Sequence, residues 1–255
     1  MPPCVTGFSG PAKKYFVPPS LPVTNSRTCV HLNYPQMCNR FRQTKSGREL
    51  AERFQAWEEI EDTPRFNIAP TQPVLAVRDH AGKRMISSLR WGLLPELATR
   101  PGPGHFNARS ESVSTKAAFR NLLEGHRCLI PADGFYEWRT MGSVKQPFCF
   151  ELVSGELFAF AGLWEESGTC VILTTEANSL VADIHDRMPV IVSPENYDVW
   201  LNSHDVKAAL AILKPYDPKL MRSYAVNPKL NDSRNDSSES ATAVNLDVPI
   251  QGQLF

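Results

Sequence analysis

Residues 127–174, RCLIPADGFYEWRTMGSVKQPFCFELVSGELFAFAGLWEESGTCVILT, decide the fold. Short apolar runs at Arg127 to Pro131, Phe148 to Leu152, Leu157 to Leu163 and Cys170 to Thr174 are separated by Gly, Pro and Ser, the punctuation of consecutive strands. Two more runs lie upstream, Val74 to Val77 and Met85 to Trp91. Helices are predicted around them. Ser46 and Glu49 have capping-box spacing ahead of Leu50, Phe54 and Trp57 on one face. Thr115 to Glu124 reads as a second helix ended by Gly125, and Pro194 to Leu201 as a third with Ser193 as cap and Pro194 in first position. A fourth covers Val206 to Leu213. Strands and helices do not alternate as regular βαβ units, so the expected class is α+β, a single domain with a curled, mostly antiparallel, barrel-like sheet flanked by helices.

The chain has 255 residues, 42% of them hydrophobic, enough for a sizeable core. Residues 1–36 carry Pro2, Pro3, Pro11, Pro18, Pro19, Pro22 and Pro35 and hold no sustained period, so they read as an unstructured leader, propeptide or misassigned start. They lack the apolar core of a secretory signal and do not read as a membrane anchor. From Asn231 the sequence turns to Asn, Asp and Ser, which predicts a domain over 37–230 and a disordered tail over 231–255. Six cysteines, at 4, 29, 38, 128, 149 and 170, form no CxxC pair and no zinc spacing. Cys128, Cys149 and Cys170 lie in strand-like runs and read as reduced core residues, which with the absent signal argues for a reducing, cytoplasmic setting. A formal net charge of zero excludes a polyanion binder with a strongly basic surface, though not a local basic groove.

Chemistry enters at Met37-Cys38. If Met37 begins the chain and is lost, Cys38 carries a thiol and a free α-amine on adjacent carbons, a 1,2-aminothiol that condenses with an aldehyde to a five-membered thiazolidine. An amine with a reference pKa of about 7.7–8.0 and a thiol near about 8.5 are both partly deprotonated at neutral pH. Three further segments set polar residues among apolar ones: FNARSE from Phe106, IPADGFYEW from Ile130 and IHDRMPV from Ile184. They supply Asn107, Glu137 and His185. Each also has an ordinary structural explanation: an Asx turn, the solvent side of a strand, a satisfied structural histidine.

In combination these segments resemble a known family, the SOS response-associated peptidases (SRAP), whose members shield abasic sites in single-stranded DNA. The resemblance runs from MCNRF at Met37 through PRFNIAPTQP, LRWGLLP, FNARSE, AFR, RCLIPADGFYEW, AFAGLWE, ILTTEAN and IHDRMPVI to Trp200. It implies Cys38 as the N-terminal cysteine, Asn107, Glu137 and His185 as the other catalytic residues, and Arg40, Trp91, Arg109, Trp138 and Thr174 as DNA contacts. For Trp91 core packing and base stacking stand side by side; Trp138, next to Glu137, suits a wedge that splays the strand. The implied activity is a covalent DNA-protein crosslink in the DNA damage response, with lyase-type chemistry allowed. His185 would open the sugar hemiacetal as general acid and base, and the Cys38 amine would form an imine that the thiolate closes. Glu137 would shuttle protons, its pKa raised if its surroundings are apolar, and Asn107 would orient the amine or sugar oxygen. The implied partner is single-stranded DNA with abasic sites, bound by a monomer without metal, cofactor or membrane, and nucleoid-associated when bound. The departure from the family is the 36-residue leader, since the family's cysteine is residue two. A thiol autopeptidase that cleaves before Cys38 and a noncatalytic reader of modified DNA are the competing readings.

Overall fold

The capping box at Ser46 forms: Ser46 Oγ accepts the Glu49 amide, the Glu49 carboxylate accepts the Ser46 amide, and helix α1 (Gly47–Phe54) starts there. Leu50 and Phe54 are fully buried. Gln55 then takes a left-handed conformation, φ 53°, and ends the helix. Trp57, predicted on the buried face, therefore lies outside the helix and is 64% exposed, beside Lys83. The computed structural model describes residues 38–57, 63–94 and 104–246. The leader predicted over 1–36 lies outside the described residues.

Among the described residues the strands are β1 (Phe41–Gln43), β2 (Arg65–Ile68), β3 (Pro73–His80), β4 (Lys83–Trp91), β5 (Asn107–Arg109), β6 (Arg127–Ala132), β7 (Gly134–Met141), β8 (Val144–Leu152), β9 (Phe158–Glu165), β10 (Thr169–Glu176), β11 (Arg187–Pro189), β12 (Ile191–Val192) and β13 (Met221–Ala225). Every strand predicted from sequence is present. The predicted second helix is a short α2 (Ala117–Arg120) running into a 3-10 turn, Asn121–Glu124, with Gly125 at its end. After α3 (Ser179–Ala182), Pro194 opens a 3-10 turn without a side-chain bond from Ser193, followed by α4 (Tyr197–Asn202) and α5 (Val206–Ala211). No helix among the described residues is long and apolar enough to cross a membrane.

One sheet runs β13-β8-β7-β1-β2, antiparallel throughout. The other curls into a ring: β4, β3, β6 and β9 pair antiparallel in that order, β10 pairs antiparallel with β9, and β10 closes on β4 through the parallel pairs Thr169↔Arg90 and Cys170↔Trp91. Strand β10 is the hub. Thr174 pairs with Arg109 of β5 on one edge and with Pro189 of β11 on the other. The fold is thus α+β with a curled, mostly antiparallel sheet.

Both faces of the ring strands are covered, which explains their continuous apolar runs. Val77, Leu129 and Leu163 pack with Leu50 and Phe54 of α1 and Trp200 of α4. Their neighbours Ala76, Ile130 and Phe160 pack against Phe41, Phe135 and Phe150 of the other sheet. Phe135 and Phe150 stack at 5.1 Å, and Phe41 meets Phe160 edge-on at 5.5 Å. Cys128, Cys149 and Cys170 are buried free thiols.

The disordered tail predicted from Asn231 is corrected over residues 231–246, which fold back on β2. Asp236 accepts the amides of Phe66 and Asn67 at 2.5 and 2.9 Å and pairs with Arg65. Asn67 Nδ2 donates to the carbonyls of Leu230, Asp232 and Asn235. Ser240 and Ala241 are buried and Ala243 bridges Val226. This order comes from side-chain to main-chain hydrogen bonds, which hydropathy does not register.

Candidate active site

The amide of Tyr136 bonds to the carbonyl of Arg40, so the chain leading into β1 lies along β7, where Phe41 pairs with Phe135 and Glu137 follows two positions on. This juxtaposition brings the main-chain nitrogen of Cys38 to Glu137 Oε1 at 2.8 Å. Cys38 is 4% exposed and Glu137 2%. Burial pushes the Glu137 carboxyl up to about 7; His185 and the hydrogen bonds from Cys38 pull against that rise. Burial, and after it the charge of Glu137, hold the Cys38 thiol well above the ordinary thiol range, with Arg187 opposing. The resting thiol is therefore protonated. Its Sγ reaches the carbonyl of Arg187 at 3.8 Å.

His185 stands just ahead of β11. Its Nδ1 accepts the Arg187 amide at 3.0 Å, which leaves the proton of the neutral ring on Nε2. Asp186 Oδ1 lies 3.1 Å from the same Nδ1, an attraction that operates only when the ring is protonated. Asn107, at the start of β5, donates from Nδ2 to Asn39 Oδ1 at 3.1 Å. The four predicted catalytic residues thus arrive from the segment ahead of β1, from β5, from β7 and from the turn into β11.

The predicted DNA contacts divide. Arg109 is exposed, and Arg40 and Trp138 are partly exposed. Arg40 Nη1 donates to Asn67 Oδ1 at 2.8 Å and to the Leu230 carbonyl at 3.1 Å, its guanidinium 5.8 Å from the Trp138 ring. Trp138 Nε1 donates to Asn231 Oδ1 at 2.7 Å, so the returning C-terminal segment braces both. Trp91 and Thr174 are both fully buried. Trp91 donates to the Phe106 carbonyl at 2.8 Å and packs edge-on against Phe41, which makes it a core residue. Thr174 offers its carbonyl and hydroxyl oxygens to Arg187 Nη2 at 2.7 and 3.3 Å.

Sequence reading missed Arg187, Glu111 and Asn39. Arg187 is buried and forms a bidentate pair with Glu111, Nη1 to Oε1 at 2.6 Å and Nη2 to Oε2 at 3.0 Å. Both residues stand inside quoted motifs, FNARSE and IHDRMPV, but nothing local links positions 76 apart. As a chemical device the site offers the nitrogen and sulfur of one residue, a carboxyl poised near neutrality and an imidazole of fixed tautomer.

Comparison with known proteins gives the family and supports the fold. The model of the SOS response associated peptidase (SRAP) family matches residues 37–233. The abasic site processing protein YoqW of Bacillus subtilis is 40% identical over 219 residues, covering 80% of this chain and 98% of that protein. The abasic site processing protein HMCES of Xenopus tropicalis is 30% identical over 226 residues, covering 72% and 67%. Among solved structures, a protein from Bacteroides thetaiotaomicron superposes with TM-score 0.71 at 24% identity, covering 81% of this chain and 100% of that one. A protein from Bordetella bronchiseptica gives 0.65 at 26% identity, covering 74% and 100%. The chain belongs to the SOS response associated peptidase family.

Proposed function

We propose that, with Cys38 at its N-terminus, this protein caps abasic sites in single-stranded DNA through a thiazolidine on Cys38. The observation that carries the reading is the 2.8 Å contact between the Cys38 nitrogen and the Glu137 carboxyl, with the thiol on the same residue. The relatives named abasic site processing proteins support the substrate class. An abasic deoxyribose is mostly a closed hemiacetal, and His185 supplies the proton transfer that opens it. The Cys38 amine adds to the aldehyde carbon and water leaves, giving an imine. The thiol then adds across the C=N bond: a C–S bond forms and the thiol proton ends on nitrogen. Glu137, its carboxyl raised by burial and in direct contact with the Cys38 nitrogen, is placed to carry each of these protons.

The test compares chains begun at Met1 and at Met37, each incubated with single-stranded DNA carrying one abasic site and run on a denaturing gel. A heat-stable adduct is expected once Cys38 is N-terminal. Cys38→Ser should lose it, and Cys38→Ala should leave at most a reversible imine. A heat-stable adduct from Cys38→Ala would sink the mechanism, and binding that denaturant fully reverses would favour a passive reader.

Self-cleavage before Cys38 is the second reading, favoured by the left-handed backbone of Cys38, φ 37°, a conformation costing a residue with a Cβ about 1–2 kcal/mol. Attack of Sγ on the preceding carbonyl carbon breaks its bond to the Cys38 nitrogen, the proton that atom needs comes from Glu137, and water hydrolyses the thioester. Loss of the mass of residues 1–37 on incubation is the expected sign.

A further inference from the structure

We infer that Glu111 is a positioning residue for ring closure, acting through Arg187 on the Cys38 thiol and the His185 ring. The inference deepens the covalent reading above and rests on it. The main chain of Arg187 serves two groups at once: its carbonyl takes the Cys38 thiol at 3.8 Å, and its amide takes His185 Nδ1 at 3.0 Å. Where that peptide sits therefore decides where sulfur points and which imidazole nitrogen carries the proton.

The main chain ties it on one side: the Asp186 carbonyl accepts the Ala177 amide at 3.0 Å and the amides of Ile184 and His185 reach the Val181 carbonyl at 2.9 Å. Strand β11 is three residues long and, among the described residues, pairs with the end of β10, Arg187 opposite Glu176. The turn ahead of it, Asp183 and Asp186 included, is largely exposed. The guanidinium adds the side-chain anchor on the other side, buried against both oxygens of Thr174 and both oxygens of Glu111. A planar fork gripped at both tines fixes orientation as well as distance. Thr174 offers no charge, so without Glu111 a buried cation keeps only neutral partners and is drawn toward water, taking residues 185–187 with it.

The amine does not depend on this clamp, because its partner, Glu137, sits on β7 within the other sheet. Loss of Glu111 should therefore weigh unequally on the two chemical stages: imine formation, which needs His185 only to open the sugar, slows less than addition of sulfur to the imine. A residue that merely supported the fold would depress both alike.

The experiment uses Glu111→Gln, Glu111→Ala and Glu111→Asp in the full chain with Cys38 N-terminal. Imine on abasic single-stranded DNA is trapped with borohydride, which reduces the C=N bond, and ring is scored as heat-stable adduct. Because charged hydrogen bonds are about twice as strong as neutral ones, Glu111→Gln and Glu111→Ala should close the ring roughly tenfold more slowly with a larger trapped imine fraction, Glu111→Asp lying between. In free protein, iodoacetamide should alkylate Cys38 faster in both uncharged variants, read by peptide mass. Ring closure at the wild-type rate or faster, or equal loss of imine and ring, overturns the inference. If wild type forms no adduct, the function proposed above fails, while alkylation rates equal to wild type still overturn the role of Glu111.

Discussion

The main-chain nitrogen of Cys38 donates to Glu137 Oε1 at 2.8 Å although the two residues are 99 positions apart. A carboxyl held in the interior has to find such a donor or stay protonated, and this one, poised at about 7, does some of each.

Glu137→Gln keeps the shape of the site but removes its proton carrier. Adduct formation should slow by about 10²–10⁴-fold, the usual contribution of a general acid-base group, with DNA affinity little changed. Single-turnover crosslinking rates against binding anisotropy make the comparison. A rate within about threefold of wild type would contradict the role of Glu137.

The raised Glu137 pKa also sets a pH dependence of stability. Native Glu137 holds a proton up to about 7, whereas its unfolded counterpart releases it near 4.5. The native state thus binds more protons in that interval, so stability falls as pH rises through it and levels off above. The full effect is on the order of 3 kcal/mol, and Glu137→Gln should flatten it. Urea denaturation at intervals from pH 4.5 to 8 reads both slopes. Trimming to Cys38 places an ammonium against the carboxyl, lowers its pKa and narrows the interval.

Asp236→Ala should destabilise the protein by about 1–3 kcal/mol, because the Phe66 and Asn67 amides lose their acceptor at the edge of β2. It should also weaken DNA binding through Arg40 and Trp138, which the same segment braces. Unfolding midpoints and anisotropy on single-stranded DNA check the two effects; a variant unchanged in midpoint would show the segment to be dispensable.

Two tryptophans should behave oppositely. Trp91→Phe leaves a core void and takes from the Phe106 carbonyl one of its two donors, the Ile172 amide remaining, costing about 1–3 kcal/mol of stability with DNA affinity intact in the folded protein. Trp138→Ala should cost about 1–3 kcal/mol of binding, the contribution of one stacked base, with little change in stability. Reversed assignments in paired melting and titration experiments would place the base-stacking surface elsewhere.

Much of the frame was legible because ring strands covered on both faces spell continuous apolar runs, and because the Ser46 capping box is a local code. Strand β7, which carries Glu137, escaped notice: Phe135 faces one core cluster and Tyr136 another, so no period of two survives. Strands β1, β2, β5, β11 and β12, at two to four residues each, are too short to show a period. At the site Asn107, Glu137 and His185 stood out as polar residues in apolar settings, and Cys38 by its place directly after Met37. Arg187 and Glu111 did not, because each matters only through the other, and a clamp closed across 76 positions leaves no local trace.

The parallel seam between β4 and β10 bears on how the protein is made. It joins positions about eighty residues apart through two residue pairs, Thr169↔Arg90 and Cys170↔Trp91, whereas β3 and β4 meet as an immediate hairpin. Loop-closure entropy makes such a contact late to form. A nascent chain emerging from the ribosome must therefore carry an unsealed edge on β4 until β10 is synthesised, a window in which strand-to-strand aggregation competes with folding.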